Sequence, residues 1–398
     1  KPNVTSFSLG TGVRSMDTVG GQTITIHGSN FGPLMSLYAV DGDIFNGLNL
    51  FSAQNCVVLV AHVTVACESP RGEGVAFVGR VSIGTQYSKY SVQMINYTAP
   101  SLVSASPNNG LRSGGTIVTL YGTNFGINPV VFVAGRNCTN TEYDADGLHT
   151  SIKCTTPQSP TGTSFVGSMR ITAGGQRTDN STLFAYTQIT SLSPLLGCVA
   201  GGTRLTIQGS SFIQSDLAIG VRFDGWNGDV LGTLVNSTSL SAVALSSVSP
   251  REVSNISVTL NAQQYETIDA GGFEYYPVPR VSAAPLPRSG PSTGNTSVYF
   301  VGDFFNTSVV SARFGDELTT DCALINSSYA QCIAPPISRT SDPSRIGREV
   351  SVKISVDPST SEGLCYSEES TTFYYYPTKP ALAGTSPRIL DAFTTHPT

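Results

Sequence analysis

The residues with most chemistry to offer are eight cysteines: Cys56, Cys67, Cys138, Cys154, Cys198, Cys322, Cys332 and Cys365. Six of them fall into three short-range pairs, Cys56/Cys67, Cys138/Cys154 and Cys322/Cys332. An even number in spaced pairs points to disulfides and to an oxidising, extracellular or cell-surface compartment. No Cys-x-x-Cys occurs, so no zinc site, and no metal, is expected. The motif Asn-x-Ser/Thr occurs at Asn3, Asn96, Asn137, Asn180, Asn236, Asn255, Asn295, Asn306 and Asn326. These are acceptors for N-linked glycans, in a chain that is close to a quarter Ser and Thr. Asp41-Gly42-Asp43 and Asp144-Ala145-Asp146-Gly147 could offer oxygens to Ca²⁺, but polar turns account for them better. Trp226 could stack on a sugar, but packing at a sheet edge accounts for it better.

Catalysis needs convergent groups. His27, His62, His149 and His396 fall in different stretches, and neither His-Glu-x-x-His nor Gly-x-Ser-x-Gly occurs. The glycine-rich segments lack the Lys-Ser/Thr of a phosphate loop. The chain is therefore expected to be no enzyme and to need no cofactor. A net charge of −5 with five lysines leaves no basic stripe for nucleic acid. The longest apolar run, Cys56 to Cys67, is interrupted by His62 and Thr64, so no membrane span is expected. With 39% hydrophobic residues, packed cores are expected over disorder. The chain opens at Lys1 without a hydrophobic leader, which suggests a processed chain or an excerpt of a longer one.

What must position these residues is a repeat. Gly20-Gly21-Gln22-Thr23-Ile24-Thr25-Ile26-His27-Gly28-Ser29-Asn30-Phe31 returns at Gly114–Phe125 and Gly201–Phe212, and more loosely at Gly294–Phe305. Ile24/Ile26, Val118/Leu120, Leu205/Ile207 and Val298/Phe300 alternate with mostly polar neighbours, the period of a strand with one buried face. By that phase His27 faces solvent. Phe184-Ala185-Tyr186, Phe273-Glu274-Tyr275 and Phe373-Tyr374-Tyr375 close three units, with Ile95-Asn96-Tyr97 as the weaker first version. Ser106-Pro107 and Ser193-Pro194 open the second and third units, and Ala284-Pro285 is read as their counterpart in the fourth. Cys-x-x-Pro recurs at Cys67–Pro70, Cys154–Pro157 and Cys332–Pro335. Units of about 90 residues with many turns and no helical period indicate β-sandwiches.

The run of Ser-Pro, Gly-Gly-Thr, an alternating strand, Gly-x-Asn-Phe and a closing Phe-x-Tyr resembles IPT/TIG domains. These are immunoglobulin-like modules of plexins, some transcription factors and many surface proteins. The resemblance implies an all-β chain, a tandem array of four immunoglobulin-like sandwiches. The units are read as 1–98, 99–187, 188–277 and 278–378, with 379–398 resembling the first strand of a further unit. The third unit lacks both cysteines of the local pair, and joint loss is what bonded partners would show, so pairing within units is expected. Cys198 is placed in the turn between the first two strands of its unit. A Cys198–Cys365 bridge, a bridge to another chain and free thiols all stay open.

The leading functional expectation is a non-enzymatic extracellular glycoprotein with a structural or adhesive role. Lys379–Pro387 repeats the opening pattern Ala99–Pro107, so self-association head-to-tail into a fibre is considered. The alternative is the ectodomain of a plexin-like surface receptor that binds a protein ligand. Acidity, acceptor asparagines and paired cysteines argue against a transcription factor.

Overall fold

The computed structural model describes residues 1–377 except 11–12, 35–39, 144–146, 248–252, 269–271, 304–309, 316–317, 338–346, 357–364 and 369. Asp144, Asp146, Asn306 and the tail 379–398 thus lie outside the described residues. The described residues form strands and turns, with no helix. They divide into two compact units: Lys1–Ser191, Ile207–Ser241 and Ile256–Ala270 make one, and Leu192–Thr206, Ala242–Asn255 and the chain from Gly271 onward make the other.

In the first unit the opening repeat comprises β1 (Asn3–Ser8), β2 (Thr23–Ser29), β3 (Val40–Phe45), β4 (Leu50–Val60), β5 (Thr64–Glu68), β6 (Phe77–Ile83), β7 (Gln86–Tyr87) and β8 (Met94–Ile95). They pair in the order β1-β2-β5-β4-β3-β6-β7, with β8 beside β6. β4 serves both faces: its first half pairs with β3 and its second with β5. The inward residues Ile24, Ile26, Val65, Phe77, Val81 and Tyr97 build the core. The second repeat repeats the plan. Ile117–Thr123 lies between Ser101–Ser106 and Ser151–Thr155, and Phe165–Ala173 lies between Val130–Val133 and Thr182–Ser193. Of the third repeat, Ile219–Phe223 pairs with Val230–Asn236 and Ile256–Thr259 in the first unit.

In the second unit Leu196–Cys198 runs parallel to Phe273–Tyr276. The fourth repeat packs Val298, Phe300, Phe314, Val352, Phe373 and Tyr375 into one core.

The sequence motifs meet at one end of the first, second and fourth sandwiches. The second residue of the Gly-Gly motif donates its N–H to the carbonyl just before the recurring proline: Gly21 to Ser69 at 2.8 Å, Gly115 to Thr156 at 2.9 Å, and Asn295 to Ala334 at 2.9 Å. The first glycine has φ near +78° and lies so close to the Pro70, Pro157 or Pro335 backbone that a Cβ would collide with it. The closing tyrosine then donates its hydroxyl to that same proline's carbonyl: Tyr97 to Pro70 at 3.0 Å, Tyr186 to Pro157 at 2.8 Å, Tyr375 to Pro335 at 2.9 Å. At the other end, Asn30, Asn124 and Ser211 take φ of 62°, 58° and 61°. That left-handed backbone suits Asn. It returns Phe31, Phe125 and Phe212 to the core.

A short segment also pairs in parallel with each closing strand, Gly110 opposite Tyr186, Gly197 opposite Tyr275 and Gly290 opposite Tyr375. The proline three residues before the glycine is Pro107, Pro194 and Pro287. The fourth-repeat counterpart of Ser-Pro is therefore Leu286-Pro287, and the reading of Ala284-Pro285 is corrected. The error arose because Leu at 286 hides the motif while a second proline stands two residues earlier.

Burial pushes the Tyr186 phenol up to about 12, against a smaller lowering by Arg136, and burial likewise raises Tyr97 and Tyr375. The unfolded chain then loses these protons first, so stability present below about pH 10 is lost as pH rises through the folded values. Tyr186→Phe removes the bond to Pro157 and is expected to cost about 1–2 kcal/mol. Urea unfolding at pH 7 and at pH 11 checks both: the midpoint of the parent falls at the higher pH, and the variant starts lower and falls less.

Candidate functional site

The residues singled out above staple and flank a series of joints between repeats. All eight cysteines are bonded. Cys56–Cys67 ties β4 to β5, with Cα atoms 4.1 Å apart. Cys322 and Cys332 stand directly opposite each other on adjacent strands, 4.2 Å apart. Cys138–Cys154 spans 5.7 Å. Cys198–Cys365 spans 5.9 Å across 167 residues and is buried in the second unit's core. Cys198 ends the strand Leu196–Cys198 instead of sitting in a turn, because that segment follows the closing strand.

Asn3, Asn96, Asn137, Asn180, Asn236, Asn255, Asn295 and Asn326 are all exposed. At the hairpin tip, Asn236 Oδ1 accepts from the Thr238 hydroxyl at 2.9 Å, and Asn326 Oδ1 accepts from the Ser328 N–H at 2.9 Å. In both the bonded atom is the carbonyl oxygen and not the acceptor amide nitrogen. By contrast, Asn180 Nδ2 donates to the Leu102 carbonyl at 2.7 Å.

Asp43 already has a cation: Arg80 bonds it at 3.0 Å and lies over Tyr87 and Tyr90. Among the described residues no three of His, Cys, Asp and Glu converge as a metal site. Trp226 is half-buried after the Phe223 turn. Before that turn, Arg222 pairs with Asp229 at 2.9 Å and lies 3.9 Å over the Tyr265 ring, whose hydroxyl bonds Asp229. The Arg80–Asp43 pair is part-buried and the Arg222–Asp229 pair exposed, and the exposed pair counts for little in stability.

At the first joint, the second repeat grips the first. Asn124 Oδ1 accepts from the Thr18 N–H at 3.1 Å. His149 Nδ1 lies 2.9 Å from the Thr18 hydroxyl, and Gln176 Nε2 donates to the Tyr97 carbonyl at 3.1 Å. Glu73, buried, accepts from the Ile127 and Asn128 N–H groups at 2.8 and 3.0 Å. Two backbone N–H groups of the second repeat thus bind its carboxylate. At the second joint, the hairpin Asn261–Gln264 grips the second repeat. Gln263 accepts from the Ile117 N–H at 2.9 Å and donates to the Ile117 carbonyl at 2.8 Å. Gln264 donates to Gly114 and accepts from the Thr116 hydroxyl. At the third joint, in the second unit, the Cys198–Cys365 bond takes this place. None of these glutamines was legible in the sequence, because Gln is a common surface residue and only the shared hairpin position marks it.

The IPT/TIG domain model matches residues 100–186, 187–275 and 279–373. The chain belongs to the IPT/TIG family. It is 28% identical over 262 residues to Plexin-2 of Caenorhabditis briggsae, an alignment covering 61% of this chain and 14% of the relative. It is 28% identical over 240 residues to mouse Plexin-A2, covering 56% and 12%. The chain thus spans about one seventh of the relatives' length. Among solved structures, the full extracellular region of Plexin A4 matches with a TM-score of 0.46 at 16% identity, covering 95% of this chain and 38% of that one.

Two outcomes follow for the IPT/TIG joints. The chain-entropy contribution of a bond closing a loop as long as Cys198–Cys365 is about 5 kcal/mol. Replacing both cysteines by Ser should lower the calorimetric transition of the fourth repeat and leave that of the first repeat in place. Glu266 carries the opposite sign. Desolvation raises its carboxyl, against the Ile189 N–H and Arg112, so its ionised form weakens the fold as pH rises above the carboxylate range. Glu266→Gln keeps an acceptor for Ile189 and should match or exceed the parent's unfolding midpoint at pH 7, with the advantage vanishing near pH 3.

Proposed function

We propose that this chain is part of the ectodomain of a plexin-like surface receptor. Its stacked sandwiches carry and space a protein-ligand-binding surface. The observation that supports this most is the run of three successive IPT/TIG matches in a chain whose named relatives are plexins. Four disulfides and exposed acceptor asparagines suit an extracellular, N-glycosylated setting. The proposed role is non-enzymatic, with joints made largely of amide-to-backbone bonds that position modules. The four units are taken as 1–98, 99–187, 188–277 and 278–378.

The receptor reading is preferred over the structural or fibre-forming one. Plexin relatives favour it, and the Lys379–Pro387 segment that suggested a fibre lies outside the described residues.

An antibody against the chain, applied to unpermeabilised cells that express the gene, should stain the surface, and the secreted chain should shift in mass on glycan removal. Added as a soluble decoy, the chain should blunt the cells' response to the receptor's ligand. Intracellular staining with an unchanged mass would overturn the proposal.

A further inference from the structure

Tyr143 combines an acidic sequence context with an open phenol. Glu142 precedes it, Asp144 follows it and Asp146 stands two residues further on. Of the 16 tyrosines no other has an acid immediately on each side. Tyr143 is 50% exposed, and Glu142 is exposed beside it. Among the described residues the Tyr143 hydroxyl makes no hydrogen bond. Tyr97, Tyr186 and Tyr375 are buried with their hydroxyls bonded, and the Tyr265 hydroxyl is taken by Asp229 and Arg222. Tyr143 also ends the strand Thr139–Tyr143, which lies at the edge of its sheet and pairs with Ser151–Thr155 on one side. Lys153 stands opposite Glu142 there, but among the described residues the two form no ion pair. The nearest glycan acceptor in sequence, Asn137, pairs with Phe132 in the other sheet, so a glycan there is attached away from this edge.

We propose that Tyr143 is a site of O-sulfation, modified in the secretory lumen by a sulfotransferase that uses an adenylyl sulfate donor. The phenol oxygen attacks the donor's sulfur. An S–O bond to Tyr143 forms as the S–O bond to the donor's phosphate breaks, and the phenol proton passes to a base of the transferase. Nothing is oxidised or reduced. The donor is a polyanionic nucleotide, so the site that holds it is lined with cations, and acids beside the acceptor are drawn into that field. An edge strand can lie along the enzyme's cleft because its outer backbone groups are free to pair. The transferase meets a folded chain, so exposure in the fold decides which tyrosine it reaches. The ester keeps its negative charge at every pH at which the chain is folded and offers oxygens to the Arg and Lys side chains of a partner. The inference rests on the receptor reading above, since only a chain that enters the secretory lumen meets this enzyme.

The test uses the full chain secreted from cells fed radiolabelled sulfate, with its N-glycans then removed enzymatically. Label should remain and should reside in the tryptic peptide Asn137–Lys153 of the reduced chain, whose one tyrosine is Tyr143. Alkaline hydrolysis should release it as tyrosine sulfate. Tyr143→Phe should lose that label while keeping the parent's secretion and thermal midpoint, since the hydroxyl holds no partner among the described residues. Glu142→Gln/Asp144→Asn should lower the label per secreted chain severalfold. A secreted, N-glycosylated chain without tyrosine sulfate in that peptide overturns the proposal and leaves the receptor reading standing. So does tyrosine sulfate that persists in Tyr143→Phe or is undiminished in the double variant. A chain retained inside the cell without N-glycans overturns the receptor reading and this proposal with it.

Discussion

The bond from the closing tyrosine to the carbonyl of the recurring proline is the constraint on which the first, second and fourth sandwiches depend. It joins the last strand to the turn that follows the bonded cysteine strand, and the Gly-Gly turn lies against the same backbone. Three segments far apart in sequence are thereby fixed at one point. The phenol is buried, so the bond is made away from water, and losing it leaves a carbonyl without its donor. The first glycine has no substitute there, because it meets both a positive φ and a contact that a Cβ would break. Once that end is fixed, it presents backbone N–H and carbonyl groups and a hydroxyl in a defined pattern. The next sandwich reads that pattern.

The reading is done mainly with side-chain amides. Gln263 behaves toward Ile117 as a neighbouring strand would, accepting its N–H and donating to its carbonyl. Such a grip addresses backbone and is indifferent to the side chain of the residue held, which allows one module to stack on another of divergent sequence. Glu73 inverts the arrangement, with the earlier repeat supplying the acceptor and the later repeat two N–H donors. A buried carboxylate is costly unless its hydrogen bonds are made, so this pair is productive in only one relative placement of the two sandwiches.

Much of this is legible in the sequence. Alternation at Ile24/Ile26 and its counterparts marked the strands, and Gly-Gly, Cys-x-x-Pro and Phe-x-Tyr marked a repeat. What spacing could not convey is that those motifs meet, because convergence depends on the crossing of strands between two sheets. The histidines illustrate the limit. Scattered in sequence, His62 and His149 look unrelated. Yet they occupy one position in two repeats, at a backbone conformation that few residues tolerate. The equivalence appears only when the hydrogen bonds to Phe31 and Phe125 are laid side by side. Leu286-Pro287 was missed for a similar reason, since register with Tyr375 identifies it and sequence does not.

The third joint departs from the other two in chemistry and keeps their logic. In the second repeat the late hairpin brings Gln176 to the preceding sandwich, and in the third it brings Gln263 and Gln264. In the fourth the late loop brings Cys365 to Cys198. Amide bonds to backbone exchange with water and contribute on the order of 1 kcal/mol each. A disulfide does not exchange unless it is reduced, and this one is enclosed in the core with Val298, Phe300 and Val352, out of reach of a thiol. The two kinds of joint therefore differ in reversibility more than in placement. A module end that can be held by water-exchangeable amides can also be released, whereas the fourth repeat is held to Cys198 for the life of the oxidised chain. An array built this way confines adjustment of its joints to the amide-held repeats and keeps its later end fixed.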